Sequence, residues 1–255
     1  MSTLTDYPWL VFVLSLLMLW LCAQLGAALR RKREARGQHA PETYTIVLTA
    51  ALTLLGLIIG FTFSMAVSRY DMRKNYEAEE ANAIGTEYLR VGLLSPGDAA
   101  MTRMLLRSYL DQRILLYHSA EEHSRGPITQ RTIELQRQLW STVQRAAIAQ
   151  PSALTALAAA GLNDVLNAQS YTQAAWWNRI PLAAWGLMGL IAVAANLILG
   201  YGERQTDSLM LLVLPVVISI AIFLIADIDS PRGGVIRVAP QNLLSQSQLI
   251  GHAQP

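Results

Sequence analysis

Apolar residues fill the chain from Trp9 to Leu29, with Gln24 as the only strongly polar member. At 1.5 Å per residue such a run reaches about 31 Å, the thickness of a bilayer's hydrocarbon core, so it predicts a transmembrane helix. Three more runs of this kind follow, from Ile46 to Val67, from about Pro181 to Leu199 and from about Leu209 to Ala226. The second meets no helix breaker at its end and passes into a charged, helix-favouring segment as far as Arg90, which predicts one long helix that leaves the bilayer and continues. Within its apolar half, Gly56, Gly60, Ser64 and Ser68 recur every four residues and share one face, where small side chains let another backbone approach closely. Leu57, Phe61 and Met65 lie about 100° round the same helix.

Residues 68–179 hold no further run of membrane length and read as four helical segments. The first continues the second span to about Gly92, with Ala81, Ile84, Tyr88 and Val91 as its apolar stripe. Ser95-Pro96-Gly97-Asp98 combines an N-cap hydroxyl, a proline at the first helical position and a carboxylate two residues on, a capping-box start for a helix to about His123. Ser124-Arg125-Gly126-Pro127 predicts a break before a third helix whose Thr132, Leu135, Leu139 and Val143 share a face. Pro151 opens the fourth, which ends at Trp176-Trp177, a pair expected with Arg179 in the interface belt. Beyond the fourth span, Asp227-Ile228-Asp229-Ser230-Pro231-Arg232-Gly233-Gly234 is an exit turn, and the polar tail after it is expected to be loosely ordered. The expected fold is all-α, with four transmembrane helices and a helical extramembrane domain between spans two and three. Its parts are 1–67, 68–179, 180–226 and 227–255.

Composition sharpens the class. With 53% hydrophobic and 15% charged residues, the chain is poorer in charge than a soluble domain, where about a quarter of residues are charged. Net charge is only +2, yet Arg30, Arg31, Lys32, Arg33 and Arg36 crowd one short segment. In the short loop from Arg30 to Thr43 they favour that loop in the cytoplasm by the positive-inside rule, which by alternation puts the N-terminus and residues 68–179 outside it; the opposite orientation has Arg69, Arg73, Lys74, Arg179, Arg232 and Arg237 at membrane ends in its favour. Asp6 before the first run and the basic cluster behind it reverse the charge order of a cleaved signal peptide, so the run reads as an uncleaved anchor. The apolar runs make lipid the partner and exclude nucleic acid. The lone Cys22 forms no intrachain disulfide or cysteine-based zinc site.

Several strings resemble a known family. Ser68-Arg69-Tyr70 with Arg73, Glu80-Ala81-Asn82-Ala83-Ile84-Gly85-Thr86 followed by Tyr88-Leu89-Arg90, Leu162-Asn163 ahead of Ile180-Pro181, and the Asp227 to Gly234 turn are similar to those of the bacterial bestrophin-like proteins. The resemblance covers about residues 46 to 245. Ser95-Pro96 stands where members often carry leucine-proline, and Ser230 where an arginine before the proline is common. The resemblance implies a multi-pass protein of the bacterial inner membrane, and more remotely an oligomeric, anion-preferring channel. The alternative is a non-conducting scaffold or sensor whose helical domain, with twelve basic and eleven acidic residues from 69 to 179, binds a partner.

Each candidate site has two readings. The Gly56, Gly60, Ser64 and Ser68 face packs helices within one subunit, or it packs between subunits so that Leu57, Phe61 and Met65 form an apolar constriction in a homo-oligomer's pore. Arg69, Arg73 and Lys74 anchor the helix at lipid phosphates, or a ring of them draws inorganic anions to a pore mouth. Glu77, Glu80, Asn82, Glu87 and Arg90 line successive turns after Arg73, as solvated ion pairs or as buried glutamates bonded to a neighbouring helix. Asp227 and Asp229 satisfy backbone in the exit turn, or pair with Arg69 or Arg73. Gln24 and Asn196 are expected to hydrogen-bond across helices. His118 and Glu122 share a helix face but lack a third ligand for zinc. No catalytic motif is present, no metal or other cofactor is expected, and an enzyme is disfavoured.

Overall fold

The computed structural model describes residues 6–36, 44–119, 122–202 and 209–252. They form eight α-helices: α1 (Pro8–Glu34), α2 (Tyr44–Arg90), α3 (Pro96–His118), α4 (Glu122–Ala149), α5 (Ala153–Trp177), α6 (Leu182–Gly202), α7 (Met210–Asp229) and α8 (Gln241–His252). No strand occurs among the described residues. Four helical stretches, in α1, α2, α5–α6 and α7, are long and apolar enough to cross a membrane. The chain divides into two compact units, residues 1–70 with 179–237 and residues 71–178 with 238–255.

The first unit holds α1, the apolar half of α2, α6 and α7. Val11, Leu19, Leu55, Ala66, Met188, Ala192, Ile218, Ile222 and Ile225 fill its core. The tightest crossing is between α1 and α6. A Cβ on Gly26 would strike the carbonyl of Leu197, and one on Gly200 the carbonyl of Ala23, so both glycines are needed for the backbones to touch. Arg30 buries itself at the end of this crossing and donates to the carbonyls of Tyr201, at 3.2 Å, and Gly202. It thereby satisfies orphan acceptors at the C-terminus of α6 with a cation of the favourable sign.

The second unit holds the charged half of α2 with α3, α4, α5 and α8, around Ile84, Tyr88, Val91, Leu106, Tyr109, Leu110, Leu135, Leu139, Val143, Leu162 and Val165. Ser95 caps α3 by accepting the Asp98 amide at 3.3 Å. At the start of α5, Ser152 and Thr155 cap each other's backbone amides at 3.2 and 3.1 Å, a reciprocal box that the Pro151 reading passed over.

Four expectations are corrected. The break falls at Ser119, before α4, and not at Ser124–Pro127, because Pro127 lies just past the first turn of α4 and removes a single helical hydrogen bond. Trp176 turns into the core while Trp177 stays 75% exposed, since successive residues on a helix point about 100° apart. The tail is not loose: α8 buries Leu243 and Ile250 in the second unit's core. Asn196 is fully buried but donates to Ala192 of its own helix at 2.8 Å, not across to another. Gln24 is half-buried.

The long helix and its candidate sites

No proline interrupts α2, and its 47 residues give a rod of about 70 Å. Leu55, Thr62, Ala66, Arg73, Glu77, Glu80, Ile84 and Glu87 are buried at intervals of three, four and seven, and buried Ala81, Gly85 and Tyr88 widen this stripe toward the end of the helix. From Leu55 onward one stripe therefore faces protein, mostly apolar in the first unit and mixed charged and apolar in the second.

The small-residue face lies on the other side. Gly56, Gly60, Ser64 and Ser68 are exposed, and a Cβ on Gly56 or Gly60 would meet nothing within 4 Å. Close packing of this face inside one subunit is therefore not what the chain does; that role belongs to Gly26 and Gly200. Leu57 and Phe61 are also exposed, at 53% and 62%, and Met65 is half-buried against the first unit's core. Two exposed stripes, one small and one apolar, thus run side by side along membrane-length helix.

The basic residues after the span separate. Arg69 is half-buried, Lys74 is exposed and Arg73 is only 1% exposed, so Arg73 does not sit among lipid phosphates as expected. Helical spacing explains it, because residue 73 falls seven positions after Ala66 on the inward stripe.

Of the five candidates that follow, Glu77, Glu80 and Glu87 are likewise buried, Arg90 is half-buried and Asn82 is exposed. Glu77 reaches the N-terminus of α8, where its carboxylate accepts from the Leu243 amide at 2.9 Å and the Asn242 side-chain amide at 2.6 Å. A carboxylate there complements the helix dipole. Glu80 takes a two-point bond from Arg113 of α3, with Nη2 to Oε2 at 3.1 Å and Nε to Oε1 shorter. Arg113 also lies over the Trp176 ring, 5.9 Å from its centroid. Burial opposes the charge on Arg113, yet Glu80 and the phenols of Tyr109 and Tyr117 hold the guanidinium above its ordinary value. The pair is thus ionic although both side chains are shut from water. Glu87 is fully buried beside α5, and neither of its oxygens has a hydrogen-bond partner. Burial pushes its carboxyl up to about 8, with Arg90 opposing and Asp164 adding to the shift. Arg90 bridges to Asp164 at 3.3 Å in a largely exposed pair.

In the exit turn, Asp227 accepts the amides of Val235 and Ile236 at 2.7 and 2.8 Å, and Asp229 accepts the Ile180 amide at 3.1 Å. Each carboxylate ties the end of α7 to backbone that no helix satisfies. His118 caps its own helix end through the Ile114 carbonyl at 3.0 Å, while Glu121 and the side chains of Glu122 and His123 lie outside the described residues. Among the described residues no group of three His, Cys, Asp or Glu could hold a metal.

Sequence reasoning missed Arg113, Trp176, Gly161 and Asn242 as partners. Arg113 had a signal: it falls on the inward stripe of α3 with Leu106, Tyr109, Leu110 and Leu116, and a charge on such a stripe requires a buried counter-charge.

Comparison with known proteins follows the same lines. The family model for the bestrophin-like domain matches residues 9–243. The chain is similar in fold to a bacterial bestrophin homolog from Klebsiella pneumoniae, with 14% identity over 92% of this chain and 98% of that one and a TM-score of 0.65. A point variant of the same homolog gives 14% identity, 93% and 99% coverage and a TM-score of 0.65. No curated protein matches the sequence.

Proposed function

This chain belongs to the bestrophin-like family of membrane proteins, and from that premise we propose that it assembles as a homo-oligomeric, anion-preferring ion channel in the bacterial inner membrane. In this reading α2 supplies the pore, Leu57 and Phe61 form an apolar constriction that gates by dewetting, and Lys74 with Arg69 draws anions to its mouth. The N-terminus and the helical domain after span two lie outside the cytoplasm. The observation that carries the reading is the exposure of Gly56, Leu57, Gly60, Phe61, Ser64 and Ser68 on one side of a membrane-length helix whose opposite side is buried. Within one chain nothing covers a Cβ at Gly56 or Gly60. In an oligomer the small residues give close contact between neighbouring copies of α2 and the larger ones face the axis.

Purified protein in liposomes tests it. Anion flux above that of empty vesicles is expected, and Phe61→Ala should change the flux while leaving the oligomer intact. Absence of flux across pH and calcium would leave the protein a non-conducting scaffold, and unchanged conductance in Phe61→Ala would remove that side chain from the pore. A reporter fused after Gly126 that is active only in the cytoplasm would reverse the orientation.

A further inference from the structure

Glu87 stands apart from its acidic neighbours. Glu77 and Glu80 each have donors on another helix, whereas both oxygens of Glu87 are buried without one. Its carboxyl lies against the Cα of Gly161 on α5, where a Cβ would strike Glu87 Oε2 and come within 2.7 Å of Arg90 Nη1. Carboxyl and guanidinium therefore share one small patch of α5, made available by a glycine. The charged groups around that patch are Arg90 on α2 and Asp164 on α5; on α3, the guanidinium groups of Arg103 and Arg107 lie over the ring of Tyr88. Arg90 is turned to Asp164, in a largely exposed pair of the kind that contributes little to stability. A buried, unpartnered carboxylate costs far more than that, and a neutral carboxyl costs much less.

We propose that Glu87 is a proton-binding site at the α2–α5 crossing, in which the neutral form leaves Arg90 to Asp164 and loss of the proton draws Arg90 to Glu87. The step moves one proton to solvent and one guanidinium between two carboxylates. It needs no other reactant. Its consequence is that the Arg90–Asp164 tie between the two helices exists at neutral pH and opens in alkali.

The full chain in detergent or nanodiscs serves for the test. Infrared difference spectra between about pH 6 and about pH 10 should lose a protonated-carboxyl stretch in the wild type, and Glu87→Gln, which copies the neutral form, should lack that change. With a midpoint near 8, the protonated form outnumbers the ionised one about tenfold at pH 7. Asp164→Asn should lower the midpoint and Arg90→Gln should raise it. Amide exchange around Gly161, corrected for its intrinsic pH dependence, should quicken above the midpoint in the wild type and stay constant in Glu87→Gln. A stretch that is the same in Glu87→Gln, a midpoint in the ordinary carboxylate range, or a midpoint that ignores both neighbours would overturn the assignment. Exchange that quickens equally in Glu87→Gln would overturn the Arg90 transfer.

Discussion

Replacing Arg113 by methionine isolates what the buried ion pair contributes. The guanidinium is 1% exposed and Glu80 is 0% exposed, so the substitution leaves a carboxylate in the core without its two-point donor. Removing one partner of such a pair costs about 3–5 kcal/mol. The lost contact with Trp176, 5.9 Å from the guanidinium carbon to the ring centroid, falls within that figure and by itself is worth about 0.5–2 kcal/mol. The Arg90–Asp164 pair supplies an internal control. Its side chains are 31% and 62% exposed, so Arg90→Met should cost no more than about 1 kcal/mol. The assay is thermal unfolding of the detergent-solubilised chain followed by circular dichroism. At about 2–4 °C per kcal/mol for a chain of this size, Arg113→Met should lower Tm by about 6–20 °C. Adding Glu80→Leu to it should restore most of the loss, because an apolar pair of similar volume has no desolvation to repay. A fall in Arg113→Met no larger than in Arg90→Met, or a double variant worse than the single one, would show that the buried pair does not carry this energy.

Gly200→Leu should destabilise by about 1–3 kcal/mol or more, since the new side chain meets the Ala23 backbone, which cannot swing aside; the same thermal scan reads it. At Gly60 even a Cβ has nothing within 4 Å in the chain, so Gly60→Leu should not lower the melting temperature of the single chain, while the oligomer count in detergent falls if this face packs between subunits. Glu77→Ala strips the Leu243 amide and the Asn242 side chain of their acceptor and should cost about 1–3 kcal/mol, seen as faster amide exchange confined largely to α8. For Glu87 the folded value near 8 lies above the free value of 4.5, so the folded state holds the proton longer and stability falls as pH rises between those limits. At 1.36 kcal/mol per pH unit the fall is at most about 5 kcal/mol, and Glu87→Gln should flatten the Tm-against-pH curve over that window.

The membrane spans, the all-helical class and the continuity of α2 are legible in the amino-acid order. These follow from the length of apolar runs and the absence of breakers, which act locally and do not depend on what packs where. The same order marks Gly56 to Ser68 and Arg73 to Glu87 as faces of one helix, because helical periodicity fixes which residues share a side. Which side meets protein depends on the packing of distant helices. The inward stripe runs through Leu55, Thr62, Ala66 and Arg73, one or two residues from each glycine or serine of the other face, and a shift of one or two residues turns a helix by about 100° or 200°. Close backbone contact went to Gly26 and Gly200, isolated glycines whose partners are about 170 positions distant in the chain. The fates of Glu77, Glu80 and Glu87 were undetermined for the same reason. All three point inward, but whether a carboxylate finds an amide of α8, a guanidinium of α3 or the bare Cα of Gly161 depends on helices that only folding brings alongside.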